Sequence, residues 1–391
     1  MIKRVAVLGS TGSIGQAALD VIAHLGEPYR VAAISAHRSG SKLIEQARRF
    51  RPAAVAITSD DADAAVVSEL RSLGSEVVQG PEGLSELARR DDVDVVLSAV
   101  VGAAGLPAAL SSIESGKPLL LANKESLVVA GELLVPLARE RGVPILPIDS
   151  EHSAVFQAMQ CGRREEIRRV ILTASGGPFR KWPLEKMEDA SPADAMNHPT
   201  WNMGGKITVD SATMFNKALE VIEAVRLFGL SPKQVEVVIH PESVVHSMVE
   251  FVDGSVLAQM SPPDMRLPIQ YALTWPQRRT GIARRLGFDR AMSFHFEPPD
   301  LQRFPALQIG FEVAEHGGTV GAVMNAANEE AVSAFLDGRL RFGMIWRVVE
   351  RTIARHDARN ASDMEELLRA DRWARKTARE LIGTTDVHCV R

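Results

Sequence analysis

From residue 3 to about residue 148, short runs of Val, Ile, Leu and Ala alternate with longer helical stretches, which constrains the fold more than any other feature. Strands are expected at 4–8, 30–34, 53–57, 76–79, 93–97, 118–121 and 143–148. Helices are expected between them, at 14–25, 40–50, 61–73 and 132–141. Strands this apolar need cover on both faces, which helices flanking a parallel sheet provide. The expected class is α/β, opening with a doubly wound, Rossmann-type domain over 1–148. Past residue 149 the texture changes. Strand-like segments at 168–173, 235–239 and 244–251 are separated by loops rich in Gly, Pro and Met, which reads as a central α+β domain over 149–274. A Pro- and Trp-containing linker at 275–303 shows no periodicity. Apolar stripes at helical spacing over 305–315, 322–336, 344–356 and 362–381 then predict a C-terminal helical bundle, 304–391.

Composition narrows the class of protein. Of 391 residues, 46% are hydrophobic and 24% charged, as in ordinary globular enzymes. A net charge of -4 with no basic domain argues against nucleic acid as a partner. Cys161 and Cys389 lie far apart in no ligand pattern, which fits a reduced compartment. Neither sits in the nucleophile motif that an acylating semialdehyde dehydrogenase needs. The longest apolar run, 95–110, is interrupted by Ser98, two glycines and Pro107 and falls short of the roughly 20 residues of a membrane span. The first strand begins at once, leaving no room for a signal peptide, so a cytoplasmic protein without a membrane partner is expected.

Gly9-Ser10-Thr11-Gly12-Ser13-Ile14-Gly15 joins the first strand to the first helix. Glycines there let the backbone approach a pyrophosphate, and the helix N-terminus favours the anion. The bland alternative is a glycine-lined turn. After the second strand an NAD site usually carries Asp or Glu. Here the chain reads Ser35-Ala36-His37-Arg38-Ser39-Gly40-Ser41-Lys42, with no carboxylate. Arg38 and Ser39 suit a 2′-phosphate, so NADP(H) is preferred over an exposed basic loop without a ligand.

Charged groups gather at the expected ends of the sixth and seventh strands. Leu120-Leu121-Ala122-Asn123-Lys124-Glu125-Ser126 and Asp149-Ser150-Glu151-His152 follow buried runs, where ligands sit in parallel sheets. If the chain is extended there, Asp149 and Glu151 point the same way and can share a magnesium or manganese ion. A helix-capping cluster is the alternative. A helix opening at 208–220 and continuing to Phe228 places Asn216, Lys217 and Glu220 together, opposite an apolar stripe. That face reads equally as a surface ion pair or as a phosphate and metal site. Two glycine-containing loops, 175–179 and 197–206, suit an anion and a mobile lid near 195–206 respectively.

Taken together, GSTGSIG (9–15), LLANKES (120–126), DSEH (149–152), SGGPF (175–179), NHP (197–199), VDSATMFNKALE (209–220), HPESVVHSMV (240–249) and NAANE (325–329) closely resemble the 1-deoxy-D-xylulose 5-phosphate reductoisomerases of the non-mevalonate isoprenoid pathway. The resemblance spans essentially the whole chain. It implies NADPH held by Thr11, Gly12, Ser13, Ile14, His37, Arg38, Ser39, Asn123, Glu125 and Gly204. It implies Mg²⁺ or Mn²⁺ on Asp149, Glu151 and Glu220. A sugar phosphate would meet Lys124, Ser150, Glu151, Ser175, His198, Ser211, Asn216, Lys217 and Glu220, with Lys124, Glu151 and His198 nearest the chemistry. The implied reaction is retro-aldol cleavage and recombination, then hydride reduction to 2-C-methyl-D-erythritol 4-phosphate, in a homodimer. The chain departs from the family pattern at His37, where glycine is common, and at Gly205, where a basic residue is common.

Overall fold

The computed structural model describes residues 2–201, 203–361 and 363–384. Cys389 and Ser362 fall outside them. The first unit comprises Met1–Ser126, Leu134–Ser153 and Asp264–Arg284, and the second comprises Leu127–Leu133, Ala154–Pro263 and Arg285–Arg391.

The first unit runs β1 (Lys3–Leu8), α1 (Ser13–Leu25), β2 (Tyr29–Ala36), α2 (Gly40–Phe50), β3 (Ala54–Ile57), α3 (Ala64–Ser72), β4 (Glu76–Gln79) and α4 (Gly83–Arg89). It continues with β5 (Val95–Ser98), α5 (Leu106–Glu114), β6 (Leu119–Leu121), α6 (Lys124–Glu140), β7 (Ile145–Pro147) and the start of α7 (Ser150–Met159). Among the described residues the strands form a parallel sheet in the order β4-β3-β2-β1-β5-β6-β7. The order reverses between β1 and β5, so a crevice opens beyond their carboxyl ends. β3 and β6 are wholly buried, as are Val5–Leu8 of β1 and Val95–Ser98 of β5, which explains the aliphatic runs there.

The second unit adds β8 (Ile167–Ala174), α8 (Leu184–Glu188), α9 (Pro192–Met196), α10 (Gly205–Thr213), α11 (Phe215–Phe228), β9 (Val235–Ile239), β10 (Val245–Phe251) and β11 (Val256–Met260). After α12 (Arg266–Thr274), which packs against α1 in the first unit, come α13 (Pro305–His316), α14 (Val320–Leu336), α15 (Ile345–Ala354) and α16 (Met364–Thr384). Its sheet is mixed, in the order β11-β10-β8-β9, with β8 and β9 parallel. The core of this unit gathers Phe179, Phe215, Phe335 and Phe342 with the apolar faces of α11, α13 and α14. Phe342 meets both Phe179 and Phe335 edge to face.

The α/β class, the doubly wound first domain and the helical C-terminal region all stand as expected. Two local expectations do not. Residues 149–151 are not extended, because Ser150 already opens α7. The helix expected from 208 to 228 is two helices, broken at Met214, whose φ of 67 puts it in the left-handed region.

Candidate active site

At the crevice of the first unit, Gly9 has φ 77, and a Cβ there would lie 2.6 Å from the Ala99 carbonyl oxygen. Only glycine lets β1 turn this close to the end of β5. The loop is tied down behind: Gly9 N–H donates to Ser35 Oγ at 2.9 Å, and Gln46 Nε2 to the Ser10 carbonyl at 2.9 Å. Helix α1 starts at Ser13 behind Gly12, with no side chain capping it. Gly12 and Ser13 are exposed, with Thr11 and Ile14 half-buried beside them, so the first N–H groups face an opening suited to an anion. At the end of β2, His37, Arg38 and Ser39 are exposed and α2 likewise begins without a side-chain cap. His37 Nδ1 lies 3.0 Å from Thr58 Oγ1. A guanidinium beside an open helix N-terminus fits a 2′-phosphate, and residues 35–42 contain no carboxylate.

Asn123 and Glu125 are buried at the start of α6. Asn123 Nδ2 donates to the Gly102 carbonyl (2.9 Å) and to Glu125 Oε2 (2.8 Å), which holds the loop after β5 against the end of β6. One residue along, Lys124 Nζ sits 2.6 Å from Asp149 Oδ2, with both side chains largely buried. Asp149 caps α7: its Oδ1 accepts from Glu151 N–H at 3.2 Å and lies 3.2 Å from His152 Nδ1. Burial opposes ionisation of Asp149. The Lys124 ammonium and the His152 ring nonetheless hold its carboxyl well below the usual carboxylate range. Glu151, in the first turn of α7, accepts from Ser150 Oγ at 2.5 Å. Carboxylate oxygens of Asp149 and Glu151 lie within 4.8 Å of one another. The convergence expected of an extended strand is thus delivered by a helix N-terminus, where a capping residue and the second helical position face the same side. Hard oxygen donors at this separation fit magnesium or manganese.

The second unit carries the remaining residues. Ser175 follows β8, and Ser211 lies in the last turn of α10. His198 joins them, with Nε2 at 3.1 Å from each hydroxyl. Its Nδ1 accepts from Thr200 N–H (3.2 Å) and Trp201 N–H (2.9 Å), so the ring proton belongs on Nε2. Burial lowers the His198 pKa and favours this neutral form. Gly204, the exposed residue before α10, lies in the loop that these bonds anchor. On α11, Lys217 and Glu220 pair at 3% and 1% side-chain exposure, which rules out a surface ion pair. Lys217 Nζ also donates to the Thr173 carbonyl at 2.5 Å, and Asn216 Nδ2 to Glu220 Oε1 at 2.6 Å. His198 thus joins the Ser175 and Ser211 hydroxyls, and just past the break at Met214 Lys217 and Asn216 gather on Glu220; ammonium, amide, hydroxyl and imidazole N–H are donor types suited to a phosphate.

Sequence reading passed over His152 and Thr173. His152 stands three residues after Asp149 in a quoted motif, and helical spacing was the signal that places its ring on that carboxylate. Thr173 acts through its backbone carbonyl, which no side-chain pattern reveals. His240 serves the fold: its Nε2 accepts from Val244 and Val245 N–H at 3.2 and 3.1 Å.

Comparison with known proteins covers nearly the entire chain. Residues 5–131 match the family model for 1-deoxy-D-xylulose 5-phosphate reductoisomerase, 145–228 its C-terminal domain model, and 260–377 the DXP reductoisomerase C-terminal domain. The 1-deoxy-D-xylulose 5-phosphate reductoisomerase of Chlorobaculum tepidum is 48% identical over 97% of this chain and 100% of its own length. That of Halothermothrix orenii is 45% identical over 98% and 100%. Among solved structures, the Zymomonas mobilis reductoisomerase in complex with NADPH superposes with a TM-score of 0.92 at 42% identity, covering 98% of this chain and 100% of that one. A DOX-P reductoisomerase in complex with NADPH, fosmidomycin and magnesium gives 0.92 at 40% identity, covering 98% of each. The chain belongs to the 1-deoxy-D-xylulose 5-phosphate reductoisomerase family.

Proposed function

We infer that this chain converts 1-deoxy-D-xylulose 5-phosphate to 2-C-methyl-D-erythritol 4-phosphate, using NADPH and a divalent cation. The observation that carries this reading is the match to that family along nearly the whole length, at close to half identity. Relatives have been solved with NADPH, magnesium and fosmidomycin, and the donor groups of this chain fit ligands of those kinds.

When bound, the cation supplies Lewis acidity at the sugar's carbonyl and adjacent hydroxyl, and NADPH supplies the hydride. Asp149, Glu151 and Glu220 are proposed as the cation's ligands. Thr11 to Ile14 would hold the pyrophosphate, and His37, Arg38 and Ser39 the 2′-phosphate. Asn123 and Glu125 would shape the cofactor pocket, with Gly204 approaching from the lid. Ser175, His198, Ser211, Asn216 and Lys217 would bind the substrate phosphate, supplying remote binding energy that orients the reacting carbons. Ser150 and Lys124 would contact the sugar backbone. Lys124 Nζ, held by the Asp149 carboxylate, can donate to an oxygen that gains charge as the carbon skeleton rearranges.

A domain plan of 1–148, 149–274, 275–303 and 304–391, with a lid near 195–206, belongs to the same proposal. So do a cytoplasmic location and assembly as a homodimer. The edge strand β11, with Val256 and Leu257 exposed, supports a second copy as partner. No described helix is long and apolar enough to cross a membrane.

The test is NADPH oxidation with 1-deoxy-D-xylulose 5-phosphate, with and without Mg²⁺ or Mn²⁺, and identification of the product. Turnover that ignores the metal, or a product lacking the rearranged skeleton, would overturn the reading.

A further inference from the structure

Asp210 is a buried acid outside the residues proposed to touch cofactor, cation or substrate. It lies on α10 and is 2% exposed. Its Oδ2 meets Lys206 Nζ at 2.7 Å, and its Oδ1 accepts from Asn328 Nδ2 at 2.8 Å. Asn328, on α14, is 0% exposed, and its own Oδ1 has no hydrogen-bond partner among the described residues. The amide is therefore committed to one contact, the carboxylate. Burying a charge with a half-used amide is costly, and apolar residues of similar volume would pack this helix contact at least as well.

The placement accounts for retaining it. Lys206 is the second residue of α10, immediately after Gly204 and Gly205, where the loop anchored by His198 rejoins the helix. Ser211, next to Asp210, points its hydroxyl at His198. Helix α10 starts behind Gly204 with no side-chain cap; Thr208 Oγ1 closes the first turn on the Gly204 carbonyl at 2.8 Å, and the Lys206–Asp210 pair spans that turn. α14 by contrast packs against α15 and α16. One carboxylate thus links the carboxyl end of the lid, the phosphate serine's helix and the C-terminal bundle.

We propose that Asp210 is a positioning residue: through Asn328 it fixes the rotation of α10 on α14, and through Lys206 it anchors the lid's hinge, so that Ser211 and His198 are preset for the substrate phosphate. This rests on the functional reading above. Asp210→Asn, Asn328→Asp, the two combined, and Lys206→Met separate it from a purely structural role. At saturating NADPH and Mg²⁺, Asp210→Asn should raise KM for 1-deoxy-D-xylulose 5-phosphate by about tenfold or more, with KM for NADPH within about twofold. The combined variant restores the amide–carboxylate pair between α10 and α14 with the roles exchanged, but not the Lys206 ion pair, so it should recover the Asn328 share of the loss. Lys206→Met, at a less buried position, should show the same KM split more weakly.

Chymotryptic cleavage after Trp201, followed without substrate, should be faster in Asp210→Asn by about fivefold, through local opening of the lid. This arm needs no turnover. If the wild type proves inactive on this substrate, the functional reading fails, while cleavage still decides whether Asp210 anchors the loop. A lowered unfolding temperature with unchanged substrate KM and unchanged cleavage would overturn the proposal, as would a combined variant no better than the worse single one.

Discussion

Glu220 shows how burial changes the meaning of a side chain. At 1% exposure its carboxylate is held by Lys217 and Asn216, on its own helix. An acid kept so deep needs charged partners, and a divalent cation would be one. Glu220→Gln preserves volume and removes the charge, so kcat should fall by about 100-fold or more while NADPH affinity stays within about twofold. Steady-state rates at limiting Mg²⁺ and a fluorescence titration of NADPH check the two halves; near-normal turnover removes Glu220 from the cation. Gly177 is a second single-residue test. It has φ 67, and a Cβ there would sit 2.5 Å from the Ser211 carbonyl oxygen. Gly177→Ala must push α10 away from the loop after β8. About 1–3 kcal/mol of stability should be lost, and substrate KM should rise by roughly 10- to 100-fold, read by denaturant unfolding and kinetics.

At the scale of elements, the proposed site residues of each unit sit at ends and breaks. In the first unit α7 starts at Ser150, α6 at Lys124 and α1 at Ser13, each beyond a parallel strand; in the second, the break at Met214 divides the proposed phosphate donors between α10 and α11. The loop between α9 and α10 is tied to this framework through His198, whose Nδ1 must stay unprotonated to accept from Thr200 and Trp201. Its pKa is lower in the folded chain than the ordinary 6.5 because the ring is partly buried. The unfolded chain therefore binds this proton more readily. The stabilisation from neutral His198 is fully present above about pH 6.5 and is lost as pH falls through the lower folded value. Substrate KM should rise over the same window, and His198→Gln should flatten that part of the profile. A wild-type KM that stays constant down to about pH 5 would show that ring protonation does not loosen the loop.

For the whole molecule, two compact units divide the chemistry. The proposed NADPH loops, with Lys124, Asp149 and Glu151, belong to the first. The proposed phosphate donors and Glu220 belong to the second. A ligand that binds only the folded form stabilises what it touches, by about 2.7 kcal/mol at 100 times its Kd. NADPH alone should accordingly slow hydrogen exchange at 9–15 and 37–39 more than at 205–220. The opposite pattern, read by mass spectrometry, would mean the cofactor has been assigned to the wrong loops.

Much of this was legible along the chain. Aliphatic runs buried on both sides leave few folds open, so β1 to β7 and the doubly wound class follow from hydrophobic pattern, which is local and period-dependent. The proposed site residues were named through motifs, because residue type and order form a one-dimensional signature. What the pattern could not supply was environment. Lys217 and Glu220 read equally well as a surface pair, and Asp149 to Glu151 as an extended strand end. The choice depended on burial and on where a helix begins, both set by packing against residues distant in sequence. The left-handed turn at Met214 and the Asn328–Asp210 contact have the same origin. Sequence alone determined which groups are present and the class of sheet that carries them. Tertiary structure decided which of those groups lose their water, and a charge becomes useful chemistry only when a low-dielectric surround makes its partners matter.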